Sequence, residues 1–221
     1  MRARNERHLD ALLRAPVRQH PTSPKLFSAG LLLAVPPRPP AEFTWRKYAI
    51  FLLTIAAQIE HSLMVQYLYA AYSLGGPQVP EDKRDEVAGW RQVILGIAKK
   101  EMGHRATVQN ALRFLGAPLA LDREDYPWDS TLAPYPFVER LTRASLAKYV
   151  MAESPKTWPS GVSHAEREEI EKLAAGANGK RKINRVGELF DALIEILADE
   201  SRIPSSTLHP LLKLPGVGAP R

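Results

Sequence analysis

Two helical segments of this chain each carry an apolar stripe that ionisable residues interrupt, and this narrows the fold more than any other feature. From Thr44 to Leu74 helix formers dominate until the Gly-Gly-Pro stop at 75–77. At heptad spacing Leu53, Ala56, Glu60, Leu63, Tyr67, Ala70 and Leu74 share one face, so Glu60 falls inside the apolar seam. A second helix is predicted from about Glu81 to Leu115, ended by Gly116 and Pro118, with the stripe Trp90, Ile94, Ile97, Glu101, His104, Val108, Leu112 and Leu115. Residues three apart lie on one helix face, so Glu101 and His104 address a common point, and Glu60 can join them from the facing helix. Burying an ionised carboxylate costs several kcal/mol unless a cation or hydrogen bonds compensate it. Helical bundles hold iron or manganese in this way, with a Glu from one helix and a Glu-x-x-His pair from its neighbour. A buried Glu60–His104 ion pair without metal is the alternative.

The rest of the chain reads as helices and connectors. Residues 5–15 are expected to form a short amphipathic helix, and 16–42 contain seven of the 19 prolines, as expected of an extended arm. A loop with Tyr126, Trp128, Tyr135 and Phe137 spans about 116–138, followed by a helix over 138–153 closed by Pro155. Ser163 and Glu166 form a capping-box signature for a helix to Ala175, which Gly176 and Gly179 are expected to break. A last helix covers about 183–200. No stretch sustains a period of two, so the chain is expected to be all-α. The expected organisation is an N-terminal helix and Pro-rich arm (1–43), a helical domain (44–203) and an irregular tail (204–221).

Composition removes several function classes. The chain has no cysteine, so disulfides, thiolate metal sites and cysteine nucleophiles are excluded; a cytoplasmic setting is compatible with that. The net charge of +6 is mostly scattered. Its two clusters, Arg2, Arg4 and Arg7, and Lys180, Arg181, Lys182 and Arg185, lack interleaved aromatics, which argues against nucleic acid. The longest apolar run, residues 48–59, meets Glu60 and His61 before the roughly 20 residues needed to span a bilayer, so no membrane span is expected. No phosphate loop or serine nucleophile elbow is present.

The segments "IEHSLMVQYLYAAYSL" (59–74) and "AKKEMGHRATVQNALRFLGAPL" (98–119) resemble the ferritin-like domain of iminophenylpyruvate dimer synthases, the enzymes of bisindole pigment and indolocarbazole biosynthesis. The likeness extends through "LAPYPFVERLTRASLAKYVMAESP" (132–155) to "VGELFDALIEIL" (186–197). It implies a ferritin-like helical bundle in which Glu60, Glu101 and His104 are iron ligands and Glu188 is the carboxylate of a third bundle helix. Periodicity opposes that role for Glu188, which lies across the helix from Val186, Leu189, Phe190, Leu193, Ile194 and Leu197. Glu153 is a second candidate, its simpler reading being an ordinary helix-end glutamate. The family pattern continues into a fourth helix with a further carboxylate and histidine, whereas this chain runs into "SSTLHPLLKLPGVGAPR", where His209 sits among prolines. The missing ligands then come from a second copy, as in the related encapsulated ferritins, or from a partner subunit; otherwise the site holds a single metal or none.

The resemblance implies a metal-dependent oxidoreductase: a non-haem iron or di-iron oxidase or oxygenase, with manganese as the other candidate metal. Its expected substrates are dioxygen or peroxide and a small organic acid or imine derived from an amino acid. Iron storage with ferroxidase activity needs the same ligands without an organic pocket. A degenerate bundle acting as a non-catalytic partner subunit is the reading from another class. His61, one step off the stripe, is expected in the core or at its rim, and Tyr67, Tyr69 and Tyr72 are expected to pack, with a redox or hydrogen-bonding role open for Tyr67. His8, His20 and His164 are expected at the surface.

Overall fold

The computed structural model describes residues 38–121, 141–177, 183 and 185–208. Among them are five α-helices and no strand: α1 Trp45–Ser73, α2 Arg84–Phe114, α3 Arg143–Glu153, α4 His164–Ala177 and α5 Val186–Ala198. The all-α expectation holds. The expected 5–15 helix, most of the Pro-rich arm, residues 122–138 of the aromatic loop, His209 and Lys180 to Lys182 lie outside the described residues.

Helix α1 is the axis of the core. Thr44 caps its start by accepting from the Lys47 amide, and Gly75 and Gly76, with φ of 101° and 104°, turn the chain out of its end. By length and composition α1 could cross a membrane, yet 72% of its most apolar window is buried within the protein, so that apolar surface is used as core. Helix α2 returns antiparallel along it. Asp85 and Glu86 in the first turn of α2 and Arg113 in the last suit its dipole. Gly116, at φ 67°, closes α2 in a Schellman arrangement, with the Gly116 amide on the Arg113 carbonyl and the Ala117 amide on the Leu112 carbonyl. Arg46 then donates to the Leu115 carbonyl at 3.0 and 2.6 Å and fastens the end of α2 to the start of α1.

After Gly116 the chain doubles back along α2. The Gln109 side chain bonds both the amide and the carbonyl of Ala120, at 2.8 and 2.6 Å, and Arg105 donates to the Leu121 carbonyl at 3.0 Å. Trp90, which periodicity placed in the apolar stripe, is exposed, a correction to that expectation, as are Val93 and Met102 on the flanks of α2; Gly89, Gly96 and Gly103 recur at heptad spacing on its far side with open space where a Cβ would stand.

Helices α3 and α4 pack on each other, and α5 packs on α1 and α3. Helix α3 begins at Arg143 instead of 138, because Thr142 and Ser145 form a capping box there. The predicted Ser163–Glu166 box caps α4, with the Ser163 amide 2.8 Å from Glu166 Oε2. Helix α4 runs through Gly176 to Ala177, a correction to the expected break; glycine inside a helix costs only about 1 kcal/mol. Helix α5 starts at Val186 and ends at Ala198, within the expected bounds. Beyond it Ile203 is buried, and the Arg202 guanidinium lies 4.6 Å over the Trp45 ring, which returns the chain to the start of α1.

Candidate metal centre

The antiparallel register of α1 and α2 creates the site. Arg46 meets Leu115 at one end of the pair. Glu60 lies fourteen residues after Arg46 and Glu101 fourteen before Leu115. Fourteen residues are close to four helical turns, so both carboxylates return to the shared face at the same level. His104, three residues beyond Glu101, stands on that face as well.

The three side chains converge. His104 Nδ1 is 3.3 Å from Glu101 Oε2 and 3.4 Å from Glu60 Oε2, and one ligand atom from each residue fits within 4.8 Å of the others. Glu60 and Glu101 are 1% and 2% exposed, whereas the His104 side chain is 57% exposed, so the group has a deep acidic side and an open imidazole side. The buried Glu60 Oε2 has no hydrogen-bond partner. Burial, with the adjacent Glu101 and Glu153 carboxylates, pushes the Glu60 carboxyl up to about 10. Two acids this close and this dry need a proton or a cation between them.

A third carboxylate lies one layer further along α1. Tyr67 donates its hydroxyl to Glu153 Oε1 at 3.2 Å, and burial followed by the Glu101 charge raises the Glu153 carboxyl to about 7. Burial and the neighbouring Glu153 also push the Tyr67 phenol well above its ordinary range. The Tyr67 ring meets Tyr149 edge-on at 5.3 Å, and Gln66 donates to the Tyr149 hydroxyl at 2.6 Å. Of the tyrosines singled out from sequence, Tyr67 packs as expected, whereas Tyr69 and Tyr72 are exposed, a correction to the packing expected of them.

Glu188 does not join this group. It lines a separate cleft with Met151, Glu171, Ala174, Ile183 and Arg185, between α3, α4 and α5. The carboxylate that does approach the centre is Glu153, at the C-terminal end of α3. Sequence periodicity missed its surroundings because α3 has no apolar stripe: it buries Ser145, Lys148 and Tyr149 beside Ala147 and Ala152. The available signal was the four-residue spacing of Tyr149 and Glu153 on one face of α3. His61 is outside the group, and His164 is exposed beside Glu168.

The donor set suits a hard or borderline cation: two buried carboxylates, one with an unsatisfied oxygen, and one imidazole. Over 157 aligned residues the chain is 31% identical to the 2-imino-3-(indol-3-yl)propanoate dimerase of Chromobacterium violaceum, an alignment covering 58% of this chain and 15% of that protein. It is 30% identical over 120 residues to the dichlorochromopyrrolate synthase of Lentzea aerocolonigenes, covering 44% of this chain and 12% of that protein. The chain therefore spans a small part of the length of these relatives. No solved structure matches. The ferritin-like family model matches residues 53–206, which include α2 to α5 and most of α1, and with that match the chain belongs to the ferritin-like family.

Proposed function

We propose that Glu60, Glu101 and His104 hold iron, as one ion or two, and that the centre oxidises a small amino-acid-derived imine or organic acid with dioxygen or peroxide. The observation that carries this reading is the meeting of two carboxylates, each at most 2% exposed, at a single imidazole nitrogen. Without a cation, Glu60 keeps its proton up to about 10. Glu60 and Glu101 would hold a divalent ion in place of that proton, which would satisfy the Glu60 oxygen that lacks a hydrogen bond and offset the repulsion between the two acids.

Iron, when bound, supplies one-electron and dioxygen chemistry. The protein's part is positional. Glu60 and Glu101 anchor the ion from the core, and their burial keeps water off the deep side. His104 holds it from the rim, and its exposure leaves that side open to a small molecule. Glu153 and Tyr67 place an exchangeable proton one layer away. The Chromobacterium violaceum relative is by name a dimerase of an imino acid, which supports an imine-type substrate. Among the described residues three ligands meet, fewer than a full dinuclear set, so a second ion would need further donors, which a second copy or a partner chain could bring.

Metal analysis tests the proposal. Protein from iron-supplemented cells is expected to carry roughly one or two irons per chain, and Glu101→Ala and His104→Ala variants are expected to lose them. Unchanged metal content in both variants ends the assignment. Oxygen consumption that depends on an added imino acid separates an oxidase from a ferroxidase, which consumes oxygen with iron(II) alone; a chain that never binds metal is a structural partner.

A further inference from the structure

We propose that the cleft between α3, α4 and α5 binds an α-amino acid with an apolar side chain, its ammonium group on Glu188 and its carboxylate on Arg185. The inference does not depend on the iron reading above, and the two can fail separately.

The cleft measures about 440 Å³, inside the range of roughly 300–1,000 Å³ typical of small-molecule sites. Met151, Ala174 and Ile183 give it an apolar wall, and Arg185 and Glu188 line it from the start of α5, about one helical turn apart. It is separate from the candidate centre. Met151 and Glu153 are two residues apart on α3, about 200° around the helix, so the side of α3 that lines the cleft is nearly opposite the one that carries Glu153.

The protein leaves both charges incomplete. Glu188 Oε2 is buried and has no hydrogen-bond partner. Lys156, the cation whose charge Glu188 feels, is paired with Asp191 at 2.8 Å. Arg185 donates from Nη1 to the Pro155 carbonyl at 3.1 Å, which fixes the guanidinium beside the cleft, and no carboxylate among the described residues pairs with it. Glu171, the other acid of the lining, is already held by Arg167 at 2.8 Å. A buried acceptor without a donor is costly, and a ligand that donates to it removes that penalty.

The pairing of signs selects the ligand. A simple cation suits Glu188 and is repelled by Arg185, and a simple anion meets the reverse. A zwitterion satisfies both. An α-amino acid carries its two charged groups on one carbon, and the wall of Met151, Ala174 and Ile183 can cover an apolar side chain on that same carbon.

The test is calorimetric titration of the full chain, with a chelator present so that the amino acid has no ion to ligate. The probes are L-leucine and L-phenylalanine, with 2-phenylethylamine and 3-phenylpropanoate as analogues that keep one charge each. Saturable binding of an amino acid is expected, and each analogue should bind about tenfold or more weakly, the factor that one charge-assisted hydrogen bond supplies. Glu188→Gln and Arg185→Gln should each weaken the amino acid by a similar factor. Ala175→Leu, which fills the cleft from an exposed position of α4, should abolish binding, and Glu195→Gln, exposed on α5, should leave it unchanged. Helical circular dichroism should stay the same in every variant. No saturable binding of either amino acid up to roughly 10 mM, beyond the ~1 mM scale of weak ligands, overturns the proposal. So does binding that Glu188→Gln and Arg185→Gln both leave intact, or an analogue that binds as tightly as the amino acid; none of these outcomes touches the metal reading, which rests on iron content in Glu101→Ala and His104→Ala.

Discussion

Helices α1 and α2 are nearly equal in length, 29 and 31 residues, and are put to opposite uses. Buried positions run around α1, from Tyr48, Leu52 and Ile59 to Gln66 and Tyr67, so it is core on nearly every side. Helix α2 buries one narrow face, Ile94, Ala98, Glu101, Val108, Gln109 and Leu112, and leaves Trp90, Val93 and Met102 exposed. The candidate centre lies on the seam between them. Its α1 carboxylate, Glu60, is therefore sealed in, while its α2 side chains run from buried Glu101 to exposed His104 within one turn. A site on such a seam gains a dry side that tightens electrostatics and a wet side that admits small molecules.

The contrast can be broken by mutation. Leu52→Ala, at a fully buried position of α1, is expected to cost about 2–5 kcal/mol in denaturant unfolding. Val93→Ala, 65% exposed on α2, is the control at the other extreme and should stay within about 0.5 kcal/mol. A comparable cost at both positions would mean that the outer face of α2 is covered in solution.

Between those limits comes pH. Glu60 and Glu153 both bind protons more tightly in the folded chain than the ordinary value of 4.5, at about 10 and about 7. The folded state thus holds more protons than the unfolded state above 4.5, and stability falls as pH rises. The contribution of each group is fully present below 4.5 and is lost as pH climbs through its folded value. Glu153's loss is complete near 7, and Glu60's continues toward 10. Each proton changes stability by at most about 1.4 kcal/mol per pH unit. Thermal melts of metal-free protein should drop from pH 5 to pH 9, Glu60→Gln should flatten most of that slope, and saturating iron should flatten it in the wild type. A metal-free melt that rises over this range would contradict the buried-acid description.

The smaller structural effect belongs to the link between the helices. Gly116→Ala places a side chain at φ 67° and a Cβ 2.7 Å from Arg46 Nη2, whose flexible end can move aside. The left-handed backbone then sets the cost, about 1–2 kcal/mol by denaturant titration. A neutral result would show that the α2 terminus does not hold the register of Glu60 against Glu101.

Much of this was legible in the sequence because local chemistry and tertiary structure agree in α1 and α2. The stripes placed Glu60, Glu101 and His104 on facing sides, Gly75, Gly76 and Gly116 marked the ends, and Ser163 with Glu166 announced α4. Agreement across levels is what makes a pattern readable. The rest depended on packing. Glu153 reaches the centre through the docking of α3, whose buried face mixes alanine with serine, lysine and tyrosine and has no period to detect. Glu188 was carried by likeness alone, and the turn of α5 sends it to another cleft. His104 was read as a stripe member; the narrowness of the buried face of α2 leaves it at the rim.

The heptad-spaced glycines of α2 have a practical consequence. A chain without cysteine accepts a thiol-directed probe only where one is introduced, and Gly89, Gly96 and Gly103 leave unfilled room for such a side chain. Each successive position lies about 10 Å further along the helix. Nitroxides attached there would form a ruler against a paramagnetic ion near His104, and their relaxation would report its position.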